Sequence, residues 1–471
     1  MIFSFEKAKQ SNPQFEFYYK HVVSVDVSGE REVTFRFDEK NNRELPAIVG
    51  EFPIVPKHWW EANGADGKPR DIARTTLELP MGSGAYRIAA FSPGSTIRYE
   101  RRDDYWGKDI AINVGQHNFA AINYVYFADR DVEFQAFRAH NTDFWVENEA
   151  KRWATGYDFP AVASGQVKRE TPDNAYRTSG VMQAFVPNMR RDKFKSPQLR
   201  LALNYAFDFE ELNRTNFFDQ YKRIDSFFYG SEMASSGLPE GRELAILNEV
   251  KAVVPPEVFT TPYKNPVGGD QARQRANLQQ ALQLFKQAGY ELKGNRLADV
   301  KTGEQLSIEI LVDNPAIVRV VSPFAQTLKK IGVDATVRMV DASQYQNRLR
   351  SFDYDMIIRS LPSSLSPGAE QLNRWGSDSR DANGSFNYAG VADPDVDRML
   401  EALLQARSTE DFQAAVRAYD RLLTAGHYII PLYYIGAQWV ARWKYIERPD
   451  GIPLLGAQKT TWWDARTQKT P

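Results

Sequence analysis

The sequence predicts an α/β protein with mixed sheets, on three observations: two turn-linked stretches of alternating apolar residues, one strand-helix-strand run, and several amphipathic helices. Val23, Val25 and Val27 fall on one face, Ser28-Gly29 turns the chain, and Val33, Phe35 and Phe37 alternate back, which predicts a β-hairpin. A polar, Gly-rich stretch from Asn63 to Pro69 reads as a surface loop and a domain boundary. Tyr86, Ile88 and Ala90, the turn Ser92-Pro93-Gly94, then Ile97 and Tyr99 predict a second hairpin. Ser196 is placed to cap a helix with Pro197 at its first position and Leu199, Leu203, Ala206 and Phe207 on one face. Gln271 to Ala288 repeats that pattern, with Leu278, Ala281, Leu282 and Phe285 as its stripe and Gly289 as its stop. Leu306, Ile308, Ile310 and Val312 then alternate as a strand, a helix runs through Phe324, Leu328 and Ile331, and Val333 to Val340 returns as a strand. That order calls for a parallel or mixed sheet with a right-handed crossover. Pro323 is expected to kink this helix or to mark a restart at Ser322. Residues 361–395, rich in Ser, Pro, Gly, Asn and Asp, read as one long loop, and loops of that length are usually functional or disordered. One amphipathic helix over about 393–425 and one strand from Tyr428 to Val440 complete the reading.

The chain has 471 residues, room for about three domains on a prior of ~150 residues each. Lys and Arg total 59 against 60 Asp and Glu, so a net charge of -1 gives no general attraction to nucleic acid or anionic lipid. The absence of cysteine removes thiolate catalysis, Cys-ligated zinc and iron–sulfur chemistry, and suits a reducing or an oxidising compartment equally. Aromatic residues at 13% favour walls that receive organic ligands. The longest apolar run, Tyr428 to Val440, is interrupted by Pro431 and Gln438 and falls short of the ~20 residues a membrane helix needs. The N-terminus lacks the basic region, apolar run and small-residue cleavage site of a secretory signal.

Motifs of catalysis are missing or incomplete. Gly82-Ser83-Gly84 has Arg87 where a dinucleotide loop needs its third glycine, and a strand follows, so it reads as a turn. Asp381, Asn383 and Gly384 imitate a calcium loop that lacks its first ligand, Ser379 standing there, and its final glutamate, replaced by Gly390. The histidines, His21, His58, His117, His140 and His427, include no i, i+4 pair for zinc, and no G-x-S-x-G elbow occurs. A glycosidase-like carboxylate pair stays open as an alternative, with abundance of acids as its only support. The segment Phe144-Trp145-Val146-Glu147-Asn148-Glu149, with Trp153 and Tyr157-Asp158-Phe159, has the composition of a binding wall, or equally of a segment whose tryptophans simply pack.

Separated segments resemble, in order, the oligopeptide- and dipeptide-binding branch (family 5) of the solute-binding proteins that serve ATP-binding-cassette importers. Gly82 to Ile88, leading through Tyr99 to Arg101-Arg102-Asp103-Asp104-Tyr105-Trp106-Gly107, is similar to that branch's G-[ST]-G-x-Y-x-[IV] strand and R-N-x-x-Y-W-G turn. Phe137 to Phe144 resembles F-x-A-G-x-x-D, Gln198 to Asp208 resembles V-R-Q-A-L-x-x-A-x-D, Leu328 to Asp334 resembles L-K-x-I-G-I-x, and Ile429 to Tyr434 resembles the terminal I-P-L-Y strand. The runs Ser363 to Gln371 and Glu147 to Tyr157 look most like the microcin C-type peptide-binding subgroup.

The resemblance implies a two-lobed periplasmic-binding-protein fold (type II, cluster C) with discontinuous domains, acting without catalysis or cofactor. It implies a periplasmic monomer that captures peptides in an interlobe cleft by strand-like recognition, closes by a hinge motion and delivers them to a membrane permease. Opine-like conjugates, cell-wall peptides and oligosaccharides are the alternative ligands, and an extracytoplasmic hydrolase is the alternative activity. The implied domains are residues 1–75 as the remainder of a small β-rich lobe, 76–180 with 428–471 as lobe I, and 181–427 as lobe II. Crossings are expected near Thr178 to Val181 and near Tyr428.

Ligand contacts are expected from Glu147, Asn148, Trp153 and Tyr157 on one side. On the other they are expected from Ser363, Ser364, Glu370, Arg374, Trp375, Asn387 and Tyr388. Two departures stand out. The stretch Leu361 to Gly368 lacks the aspartate with which better-known members hold a peptide's α-amine, which leaves Glu370, Glu147 or Glu149 to replace it. Family members also begin with a signal peptide and a long opening segment before the part that Ile2 to Glu6 resembles, so the chain is expected to be N-terminally truncated, its signal lost with that segment.

Overall fold

The computed structural model describes residues 1–11, 13–74, 76–172, 182–250, 254–362, 364–435, 437–451 and 456–467. Its largest sheet has five strands in the order Asp334–Met339, Ser307–Val312, Met356–Leu361, Met182–Pro187, Ile430–Tyr433. The first three run parallel, and Met182–Pro187 lies antiparallel between its two neighbours, which makes the sheet mixed as expected. Ile308, Ile310, Leu311 and Val312 are buried at its centre, where both faces are covered and the strand is apolar nearly throughout.

The helix Pro315–Lys330 connects the two parallel strands. Asn314 caps it, its side chain accepting from the Ile317 amide at 3.1 Å, and Val320, Val321, Phe324 and Leu328 face inward. Pro323 neither ends nor restarts it. A proline removes the hydrogen bond to the carbonyl four residues earlier, here Arg319, and that carbonyl instead accepts from the Asn216 side chain at 3.1 Å. Gly332, in the left-handed region at φ 89°, turns the chain into the next strand.

The helices Pro197–Ala206, capped by Ser196, and Gln271–Gln287, capped by Asp270, form where the patterns place them and pack together. A three-stranded sheet, Tyr86–Ser92, Thr96–Arg101 and Ala121–Val125, contains the second hairpin. Another joins Phe144–Glu147, Trp439–Trp443 and Val167–Glu170, with Trp439–Trp443 in the middle. The N-terminal part, helices Ile2–Ser11 and Pro13–Tyr18 with the hairpin Val22–Gly29/Glu32–Phe37, has its own core of Phe5, Tyr19, Val22, Leu45, Ile48 and Phe52.

Four expectations are corrected. Val23 and Val27 do not share a buried face: bulges beside both shift the register and leave them exposed. The helix over 393–425 is two helices, Pro394–Gln405 and Thr409–Ala425, because Ser408 accepts from the Asp411 amide at 3.0 Å and starts the second. The strand Tyr428 to Val440 is also two, Ile430–Tyr433 and Trp439–Trp443, lying in different sheets. The long loop contains the helix Glu370–Trp375 and a buried stretch around Asn387. The strand Ile430–Tyr433 belongs by pairing to the five-stranded sheet, so the chain passes to the other sheet over residues 434–438, beyond Tyr428. The expected crossing at Thr178 to Val181 lies outside the described residues. No helix among the described residues is long and apolar enough to cross a membrane.

Candidate functional site

The strand Phe144–Glu147 ends in a carboxylate that folds the next residues into a wall. Glu147 is buried, and one of its oxygens accepts from the backbone amides of Asn148 and Glu149, both at 2.9 Å, and from Arg152 at 3.2 Å. The other accepts from Trp145 Nε1 at 3.0 Å and the Tyr157 hydroxyl at 3.3 Å. Burial first, and then the Glu147 charge, raise the Tyr157 phenol well above its ordinary value. Every lone-pair direction of the carboxylate is thereby used, and Asn148, Glu149 and Lys151 are presented outward.

Facing them is a column of aromatic rings. Trp153 stacks on Trp439 (5.8 Å, 5°), Trp439 on Tyr221 (5.8 Å, 13°) and Tyr221 on Tyr433 (4.5 Å, 7°). Arg169 caps the far end, 4.2 Å from the Trp153 ring. Tyr221 is pinned by Asn213, whose side chain accepts from its amide at 3.2 Å and donates to its carbonyl at 3.0 Å. The loop before it holds Phe218 and Asp219 at φ 55° and 57°, left-handed conformations that cost a non-glycine residue energy and concentrate at functional sites. Burial raises the phenols of Tyr221 and Tyr433, the latter to about 12, so this wall carries no charge near neutral pH.

Between the two walls lies a groove of about 680 Å³. Asn148, Glu149 and Lys151 line one side, Asn216 to Phe218 with Tyr221 and Tyr433 the other, and the first turns of Pro315–Lys330 the floor. Two polar links span it: Gln220 donates to the Ala150 carbonyl at 2.9 Å, and Arg319 pairs with Glu149 at 3.0 Å. The size suits a small organic ligand, and side-chain amides beside aromatic faces suit one with a hydrogen-bonding backbone. A smaller cavity of about 430 Å³ opens between the strands Ala121–Val125 and Phe144–Glu147, on the other side of Asn148. It lacks any contribution from the five-stranded sheet, whereas the larger groove lies between Tyr433 of that sheet and the residues that follow the strand Phe144–Glu147.

The sequence profile of the bacterial extracellular solute-binding proteins, family 5 (middle part), matches residues 1–383. The chain belongs to this family. A relative called a probable peptide-binding protein YejA, from Agrobacterium fabrum, is 57% identical over 467 residues, covering 99% of this chain and 76% of the relative. A peptidoglycan-binding protein YepA from the same organism is 47% identical, covering 99% of this chain and 76% of that one. Among solved structures, the oligopeptide-binding protein AppA from Bacillus subtilis, in complex with a nonapeptide, superposes with a TM-score of 0.73 at 17% identity. That match covers 98% of this chain and 82% of AppA. The superposition gives this chain the fold of AppA, which here is a mixed α/β architecture with several sheets.

Of the residues expected to touch ligand in this family 5 chain, Asn148 alone lines the groove. Glu147, Trp153 and Tyr157 lie behind its wall, as foundation and as the end of the ring column. Ser363 is outside the described residues. Ser364 is exposed and accepts from the Ser366 amide at 3.0 Å. Glu370 is spent locally, accepting from the Gly368 amide at 2.9 Å and from Gln371 at 3.0 Å. Arg374 donates to the Pro362 carbonyl, and Trp375 is buried against Phe227. Asn387 is fully buried and clamps its own loop, donating to Gly376 and Val391 carbonyls and accepting from the Val391 amide. Tyr388 accepts from Arg359 at 3.1 Å. Tyr221, Arg319, Asn216 and Tyr433 escaped the sequence reading. The usable signal was the aromatic run Phe217-Phe218 with Tyr221, beside an asparagine and with no apolar periodicity of its own.

Proposed function

We propose that this family 5 protein captures peptides in the groove between the 148–151 wall and the ring wall and hands them to the permease of an ATP-binding-cassette importer, with no catalytic step. The observation that carries the reading is the groove itself: an uncharged ring wall for side chains of varied shape, and the amides of Asn148, Asn216 and Gln326 for a peptide backbone. Such recognition spreads affinity over main-chain hydrogen bonds and tolerates sequence variety. Glu149 is the groove's one lining carboxylate, which leaves a paired-acid hydrolase without its second acid among the described residues. A cell-wall peptide is a second reading within the same class, favoured by the name of the 47% identical relative. The protein acts as a monomer outside the cytoplasmic membrane. Its organisation is residues 1–75 as a small lobe, 76–180 with the chain's end as lobe I, and the five-stranded sheet with its helices as lobe II.

The test is thermal unfolding with pools of di- to pentapeptides and, separately, oligosaccharides. A ligand of the native state raises the midpoint in proportion to the logarithm of its concentration, by ~2.7 kcal/mol of stabilisation at a hundred times Kd. Peptide pools are expected to raise it and oligosaccharides to leave it unchanged. The opposite pattern would overturn the reading.

A further inference from the structure

The charges around the groove are unevenly committed. Glu149 has both carboxylate oxygens occupied, one by Arg152 at 2.8 Å and the other by Arg319 at 3.0 Å. Arg152 is itself held by Glu147 at 3.2 Å and Asp131 at 2.6 Å, so it belongs to the wall rather than to the groove. Arg319 is different: its side chain is 60% exposed, it lines the groove, and its one ion pair is to a carboxylate it must share. Lys151 lines the groove too, is exposed, and has no carboxylate at ion-pair distance among the described residues. The groove surface therefore carries two cations and a single, doubly paired anion. The first turns of the helix Pro315–Lys330 form its floor and add the positive end of a helix dipole. The other acids that might hold an amine are consumed elsewhere, Glu147 in the wall and Glu370 in its own turn.

We propose that the groove anchors its peptide by a carboxylate, with Arg319 and Lys151 as the anion-binding pair, and does not depend on a free α-amine. The arginine fork donates two parallel hydrogen bonds to a carboxylate, and the lysine supplies a second point charge. The inference rests on the peptide-capture reading. The carboxylate comes from the peptide's C-terminus or from an acidic side chain, and the two sources are separable.

Four pools of randomised tri- to pentapeptides serve as probes, scored by the concentration that half-saturates the thermal shift: free at both ends, N-acetylated, C-amidated, and C-amidated with one glutamate in every sequence. Amidation is expected to weaken binding about tenfold or more, the scale of one charge-assisted hydrogen bond, and acetylation to change it far less. Recovery of affinity in the glutamate pool assigns the carboxylate to a side chain, and no recovery assigns it to the terminus. Arg319→Gln should erase the difference between acid and amide. Because it also frees Glu149, it should make the acetylated pool bind more weakly than the free-amine pool, a reversal that mere loss of structure would not produce. Lys151→Met should halve the discrimination without that reversal. If peptides bind and neither amidation nor the added glutamate changes their affinity, the carboxylate anchor is wrong while peptide capture stands. If no pool binds, both fail.

Discussion

The carboxylate of Glu147 sits beside the groove yet receives Trp145, Tyr157, Arg152 and two backbone amides, so its contribution is to stability and to the placement of residues 148–151. Removing the carboxylate leaves the buried donors of Trp145 and Tyr157 and the two backbone amides unpaired, while Arg152 keeps Asp131 and Glu149, and Glu147→Ala is expected to cost roughly 3 kcal/mol in urea unfolding. A loss below about 0.5 kcal/mol, the size of an ordinary surface change, would return Glu147 to the ligand's side. His427 offers a second test at this scale. It is half-buried with a left-handed φ of 49°, its buried Nδ1 has no partner among the described residues, and burial together with the neighbouring Arg200 lowers its pKa from 6.5 to about 4. Since the folded state then binds fewer protons than the unfolded state between pH 6.5 and pH 4, stability is complete above 6.5. It falls as pH drops, by up to about 3 kcal/mol once pH is below 4. Asp420, whose pKa burial raises, acts in the opposite direction, so the wild-type curve alone does not isolate the histidine. His427→Asn, suited to the left-handed conformation, should flatten the slope of urea midpoints between pH 6.5 and 4. An unchanged slope would mean the imidazole is already accommodated as a cation.

At the scale of elements, what was legible is what neighbours in sequence decide. The cap Ser196, the stop at Gly289 and the alternation from Ile308 to Val312 are local, and those helices and strands form where they are expected. What was not legible depends on distant partners. Pro323 is tolerated because Asn216, more than a hundred residues earlier, occupies the carbonyl it frees. The long loop is folded because Asn387 satisfies its turns from within, although its composition looks like that of a disordered segment. The candidate site follows the same division. The segment Glu147 to Tyr157 stood out by composition, but the side of it that lines the groove was decided by where Glu147 turned. The ring column takes Trp153, Tyr221, Tyr433 and Trp439 from four separate stretches, a stacking no periodicity announces.

For the whole molecule, the column and the chain crossing coincide. Tyr433 ends the last strand of the five-stranded sheet, Trp439 begins the central strand of the other, and Tyr221 is wedged between their rings across residues 434–438. A hinge there would turn about a packed aromatic joint, which would serve the two sheets as a pivot and let the groove's walls approach. The pair Glu149–Arg319 spans the groove, but Arg319 is largely exposed, and such pairs are worth about 0–1 kcal/mol. Moving a two-state equilibrium from 1:99 to 99:1 takes about 5.5 kcal/mol, so a bound peptide, touching both walls at once, must supply nearly all of the bias toward closure. Small-angle scattering therefore should show the radius of gyration falling when the peptide pool saturates the protein. Glu149→Gln without ligand should scatter like the wild type. Binding with no compaction would identify the groove as a preformed site on a rigid frame, and expansion of ligand-free Glu149→Gln would mean that the Glu149–Arg319 pair already holds the walls together.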